Sequence, residues 1–125
     1  MSEKKTDCCG GAVTLIFPCS GASNTGEMCD RAARLLSKEG AGKMFCLAGI
    51  GGRIESFINA TREADKVLVL DGCSQECARK TMESAGIDKF KHIQITDLGL
   101  VKGKSPVNDE NIGVVADKGK ALLAG

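Results

Sequence analysis

Short apolar runs alternate with segments of helical periodicity along this chain of 125 residues. The apolar runs predict strands at 13–17, 43–47, 67–70 and 91–96. Apolar residues three and four positions apart predict helices at 25–39, 53–64, 75–85 and 108–123, with a glycine-rich turn at 49–52. Strands that alternate with helices pair in parallel through right-handed crossovers. The alternation therefore predicts a three-layer αβα sandwich around a mainly parallel four-stranded sheet, in the order 2-1-3-4.

Length and charge limit the possible domains and partners. We expect one αβα domain at 12–125 after a flexible N-terminal tail at 1–11. The formal net charge is +1 and aromatic residues make up 3% of the chain, so there is neither a positive field nor a stacking surface for nucleic acid. Because an apolar signal segment and a stretch of membrane-spanning length are both missing, we expect a cytoplasmic protein with no membrane partner.

Three cysteines lie where three different predicted strands end. Cys19 follows the first strand, Cys46 lies at the end of the second, and Cys73 follows the third. The 2-1-3-4 order, as in flavodoxin-like and Rossmann-like folds, places these ends side by side at the carboxyl edge of the sheet, where such folds bind ligands. Cys77 comes four residues after Cys73, so on a helix that Ser74 caps it is expected on the same face.

Four thiols at one edge suit a zinc ion, which takes four sulfur ligands in a tetrahedron. We therefore predict a zinc site made by Cys19, Cys46, Cys73 and Cys77, with the metal ion as the partner. Seven cysteines in a reducing compartment indicate metal ligands or reactive groups more than disulfides. The donor set leaves open a structural, catalytic or transported metal, a metal-responsive or metal-delivery module, and iron or an iron–sulfur cluster in place of zinc.

The other potential ligands fall outside this set. Cys29 lies in the apolar stripe of a predicted helix and is expected to be buried, whereas Cys8 and Cys9 belong to the tail. His92, the only histidine, comes at the start of the fourth strand and is expected on the surface at the opposite edge. Asp97 follows that strand at the cysteine edge, where we expect it either to orient a metal ligand or to serve as a turn residue.

The loop from Cys19 to Gly26 supports an alternative, a thiol-dependent enzyme with Cys19 as the nucleophile. Gly21 and Gly26 have the spacing of a nucleotide P-loop, but Glu27 and Met28 stand where Lys and Ser or Thr are required. The loop resembles that of low-molecular-weight tyrosine phosphatases without its arginine. It also resembles the phosphocysteine loop of sugar phosphotransferase IIB components, which needs none. Redox, sulfur-transfer and phosphoryl-transfer chemistry thus all remain open.

Four segments carry a resemblance to one known family. They are Phe17-Pro18-Cys19-Ser20-Gly21, Lys43-Met44-Phe45-Cys46-Leu47-Ala48-Gly49, Asp71-Gly72-Cys73 with Cys77, and Thr96-Asp97-Leu98-Gly99. Over about residues 13–100 the chain resembles the small DGC-domain family of proteins regarded as zinc-binding, which is named for the Asp-Gly-Cys tripeptide. The resemblance implies four chelating cysteines, here at positions 19, 46, 73 and 77, in prokaryotic proteins with no assigned biological role.

Overall fold

The structure is a computed structural model that describes residues 12–125. The predicted flexible tail at 1–11, with Cys8 and Cys9, lies outside the described residues. Within the described part, no helix is long and apolar enough to span a lipid bilayer.

The sheet has the predicted order. Its strands are β1 (Thr14–Pro18), β2 (Lys43–Met44), β3 (Lys66–Asp71) and β4 (Lys91–Gln94), arranged β2-β1-β3-β4 with all neighbours parallel. β1 pairs with β3 along its whole length. β4 pairs only with the last four residues of β3, so that the whole of β4 lies near the carboxyl edge. The prediction of a three-layer α/β fold with strand order 2-1-3-4 is confirmed.

The helices cover both faces of the sheet. They are α1 (Asn24–Lys38), α2 (Leu47–Gly51), α3 (Glu55–Glu63), α4 (Cys77–Ser84) and α5 (Asp109–Ala124). Alternate strand residues, among them Ile16, Leu68 and Leu70, pack against α1 and α5. The intervening residues, among them Phe17 and Val69, form a second core with α2, α3 and α4. Apolar side chains on both faces of β1 and β3 explain why these strands have continuous apolar sequences.

Three elements differ from their prediction near the site. The glycine-rich turn expected at 49–52 is largely the helix α2, and β2 stops at Met44. Gly49 permits this arrangement because the ring of Phe57 lies against it; a Cβ at this position would come within 2.0 Å of the ring. The fourth strand also ends early, at Gln94, and continues as a short 3-10 helix, Ile95–Leu98.

Candidate functional site

The turns that carry three of the predicted cysteines lie at the carboxyl ends of adjacent strands. Cys19 directly follows β1, and its backbone N–H donates to Leu70 O in β3 at 2.7 Å. Cys46 and Cys73 each come two residues after the end of their strand. The Phe45 N–H donates to Ile16 O at 2.9 Å, which continues the pairing of β2 with β1 up to the residue before Cys46.

Glycines allow the Cys19 loop and the Cys73 turn to pack closely against the start of α1. A Cβ on Gly72 would lie 2.9 Å from both Gly26 N and Thr25 C. A Cβ on Gly26 would lie 2.7 Å from Gly21 O. All of these neighbours are backbone atoms, which cannot turn aside as a flexible side chain can. The glycine of the Asp-Gly-Cys tripeptide is therefore required by the close approach of two backbones.

The four predicted ligands differ in exposure. The Cys19 and Cys73 side chains are half-buried, whereas Cys46 and Cys77 are exposed, and all four are free thiols. Among residues 12–125, no three His, Cys, Asp or Glu side chains come close enough together to hold a metal ion. The edge thus offers the donor type that zinc prefers, but the described side chains do not form a ready-made coordination sphere.

A lysine that the sequence did not single out lies beside one of these thiols. Lys102 Nζ is 3.8 Å from Cys73 Sγ, within reach of a hydrogen bond to sulfur. The loop that carries Lys102 is held to the first residue of α1 by three hydrogen bonds. The Asn24 amide donates to Val101 O and Ser105 O at 3.1 and 2.7 Å, and its oxygen accepts from the Gly103 N–H at 2.7 Å. No local pattern signals contacts that span so much of the chain.

Cys29 is fully buried, as predicted, inside α1. Burial raises the pKa of its thiol, and the neighbouring groups Cys19, Asp71 and Cys73 raise it further. A protonated, enclosed thiol is neither a good metal ligand nor a nucleophile. Cys29 thus belongs to the core beneath the site.

The side chain of the aspartate in the tripeptide caps the start of the next helix. Asp71 is 1% exposed, and its two carboxylate oxygens accept the backbone N–H groups of Ala78 and Arg79, at 2.8 and 3.0 Å. These are N–H groups of the first turn of α4, which have no partner within the helix. The prediction that Ser74 caps this helix is wrong. The N-cap residue is Glu76, which has left-handed backbone geometry with φ 51° and makes no side-chain cap of its own.

His92 also contacts this carboxylate. Its Nε2 lies 2.8 Å from Asp71 Oδ2, and its Nδ1 lies 3.9 Å from the carboxylate of Glu76. The prediction of a surface histidine at the opposite edge is therefore wrong. β4 begins beside the carboxyl-terminal half of β3, where His92 pairs with Val69. The side chain of His92, the second residue of β4, therefore reaches Asp71 at the end of β3.

The relation between Cys73 and Cys77 also differs from expectation. α4 begins at Cys77, and Cys73 lies in the turn before it, so the two do not share a helical face. The turn is tight, because the Glu76 N–H donates to Cys73 O at 3.1 Å. Asp97 is exposed in the 3-10 helix after β4, and its role in orienting a ligand stays a prediction.

A cleft of about 450 Å³ opens beside Cys46. It lies between the ends of β1 and β2 and the helices that follow them, and its lining includes Ser20, Arg34, Phe45 and Thr81. The volume is in the range of small-molecule sites. Sequence patterns did not indicate this cleft, because the residues that line it come from five separate elements.

Comparison with known proteins places the chain in a family. A curated relative, described as the "Anaerobic and virulence modulator AnvM" of Pseudomonas aeruginosa, is 28% identical over 88 residues, which cover 70% of this chain and 67% of the relative. No solved structure matches the chain. The family model described as "DGC domain" matches residues 15–118, which include the cysteines at all three strand ends and Cys77. The chain belongs to the DGC-domain family.

Proposed function

We propose that this protein binds one zinc ion through Cys19, Cys46, Cys73 and Cys77 at the carboxyl edge of its sheet, in the cytoplasm, where thiols stay reduced. The observation that carries the proposal is the β2-β1-β3 strand order, because each of these neighbouring strands leads into a cysteine at the same edge. Thiolate is the ligand type that zinc takes in closed four-coordinate sites.

Zinc binding in this proposal draws the exposed thiols inward. The Cys19 loop and the Cys73 turn are already packed together through Gly26 and Gly72. Cys46 and Cys77 are exposed, so their side chains are free to change rotamer toward the other two. Because ligands that assemble only around the ion couple metal binding to local ordering, zinc would stiffen these turns.

The first test is metal analysis of freshly purified protein, combined with single Cys→Ser variants. We expect about one zinc per chain, lost on replacing Cys19, Cys46, Cys73 or Cys77. Cys29→Ala is the matched control, since this cysteine is buried in the core and should leave the zinc content unchanged. A metal-free native protein whose four site variants all keep wild-type stability would contradict the proposal.

We favour a metal-responsive role over a purely structural zinc. The Pseudomonas relative is described as a modulator, and a site whose ligands must turn inward suits reversible binding better than a closed, ready-made site. The measurement is zinc exchange with a competing chelator. Release within minutes supports the responsive role, whereas retention for days in excess chelator indicates a structural zinc.

A second candidate function is a thiol-dependent enzyme with Cys19 as the nucleophile. The 450 Å³ cleft favours it, because Ser20 and Cys46 line a space large enough for a small substrate and Cys19 directly precedes Ser20 in the chain. Such an enzyme needs an activated thiol, with a pKa below about 7.5. The rate of alkylation of Cys19 from pH 5 to 10 tests this; a midpoint in the ordinary range of a free thiol, about 8.5–9, eliminates the enzyme.

A further inference from the structure

We propose that Asp71 and His92 act together as positioning residues for the segment that carries Cys73 and Cys77. This inference rests on the proposed zinc site and deepens it. It assigns a role to the first residue of the Asp-Gly-Cys tripeptide and to the only histidine in the chain.

The Asp71 carboxylate closes this segment into a loop with both ends fixed. The segment leaves Asp71 through the backbone at the end of β3. It returns to the same residue at the start of α4, where the N–H groups of Ala78 and Arg79 donate to the carboxylate. Cys73 and Cys77 both lie between these two points. Loss of the carboxylate contacts would leave the start of α4 held by the core packing of Ala78 and Met82, without its hydrogen bonds to the end of β3.

His92 holds the carboxylate in turn. Asp71 Oδ2 accepts from both Arg79 N–H and His92 Nε2, at 3.0 and 2.8 Å. A carboxylate that is 1% exposed depends on such donors, because burying a charge without hydrogen bonds is costly. His92 stands on β4, so its imidazole ties the carboxylate to the neighbouring strand as well as to α4. The Asp71 oxygens therefore accept hydrogen bonds from α4 and β4. They support the backbone that carries the thiols and are not themselves ligands of the proposed zinc ion.

Fixing both ends of the segment lowers the entropy lost when two thiolates close on one ion. Groups that hydrogen-bond a metal ligand directly typically account for a 10- to 100-fold difference in metal affinity. Asp71 and His92 hold the backbone that carries the thiols rather than the thiols themselves, so we expect a loss of about tenfold when the His92 hydrogen bond is removed.

The test compares two replacements of His92. In His92→Gln the amide nitrogen takes the place of Nε2 and still donates to Asp71, whereas His92→Leu cannot donate. Gln94→Leu is the matched control: Gln94 lies two residues further along β4 and donates to Thr96 Oγ1 rather than to Asp71. Circular dichroism establishes that each variant is folded.

The first readout uses metal-free protein and iodoacetamide. The cysteine sulfur attacks the methylene carbon, iodide leaves, and peptide mass spectrometry gives the rate at each cysteine. Cys46 is the internal reference because it lies on another strand end. In His92→Leu we expect Cys73 and Cys77 to react at least about threefold faster relative to Cys46, with His92→Gln and Gln94→Leu close to wild type.

The second readout is zinc affinity, measured by competition with a chelating dye. His92→Leu should bind zinc about tenfold more weakly, and His92→Gln within about threefold of wild type. Wild-type values for His92→Leu in either readout, or a His92→Gln variant as impaired as His92→Leu, would overturn the inference. If the wild-type protein binds no zinc, the proposed function fails, and the alkylation rates alone decide whether Asp71 and His92 position the segment.

Discussion

Replacing Gly72 by alanine probes the close approach that joins the two cysteine-bearing turns. The new methyl group would lie 2.9 Å from Gly26 N and from Thr25 C, and 3.1 Å from Thr25 O. Overpacking of this kind costs about 1–3 kcal/mol. The loss of unfolded-chain entropy on replacing glycine by alanine offsets this by about 0.4–1 kcal/mol. Taking the middle of both ranges, we expect Gly72→Ala to lower the free energy of unfolding by about 1–2 kcal/mol.

The assay is urea unfolding followed by circular dichroism, with a chelator present so that bound metal does not contribute. For a domain of this length, about 1 kcal/mol corresponds to about 4 °C, so the Tm should fall by about 4–8 °C. Gly113→Ala is the matched control. Gly113 lies inside α5 with open space where the methyl group would stand, so this change should stabilise by about 0.5–1 kcal/mol.

The two substitutions thus add the same methyl group, but their expected effects on the free energy of unfolding have opposite signs. A Gly72→Ala protein as stable as wild type would refute the claim that backbone contact dictates glycine in the tripeptide. Destabilisation by both variants would show that the effect belongs to alanine in general rather than to the junction of the turns.

Three further predictions concern the loop, the buried thiol and the metal. Asn24→Ala removes three hydrogen bonds from the loop that carries Lys102, so hydrogen exchange in peptides covering 101–105 should accelerate while β3 is unchanged. Because burial raises the pKa of Cys29 above its ordinary value of 9.0, the unfolded chain releases this proton first as pH rises. The stability from Cys29 is therefore complete below about pH 9 and declines above it by up to about 1.4 kcal/mol per pH unit. Cys29→Ala should flatten that decline in urea unfolding between pH 8 and 10.5; an unchanged slope would contradict it. Zinc at about 100 times its Kd should stabilise the protein by about 2.7 kcal/mol, and excess chelator should return the Tm to the metal-free value.

The sheet was predictable because its signals are local. Continuous apolar runs at β1 and β3 identify buried parallel strands, and the glycine or serine turns after them locate the strand ends. The same signals placed Cys19, Cys46 and Cys73 at one edge. The length of β2 was less predictable, because Gly49 allows a helix where glycine-rich sequence usually indicates a turn.

The surroundings of the thiols depend on contacts between distant residues. α4 is capped by Asp71, which precedes its first residue by six positions, so no capping pattern at Ser74 or Glu76 could reveal it. His92 reaches the site because β4 pairs only with the end of β3, a register that the sequence of β4 does not encode. The position of Lys102 beside Cys73 depends on the hydrogen bonds that Asn24 makes to a loop far along the chain.

The position of α5 in the core also has a consequence for the folding of the chain during its synthesis. All four strands and the helices of one face are complete once residue 94 has been made. The other face lacks the apolar side chains of Ile112, Val115 and Leu123, which pack with α1 over Ile16 and Leu68. At the usual 5–20 residues per second, about 30 further residues take roughly 1.5–6 s. During that interval the nascent chain displays an open aliphatic surface, the kind of surface that chaperones bind and that aggregation exploits.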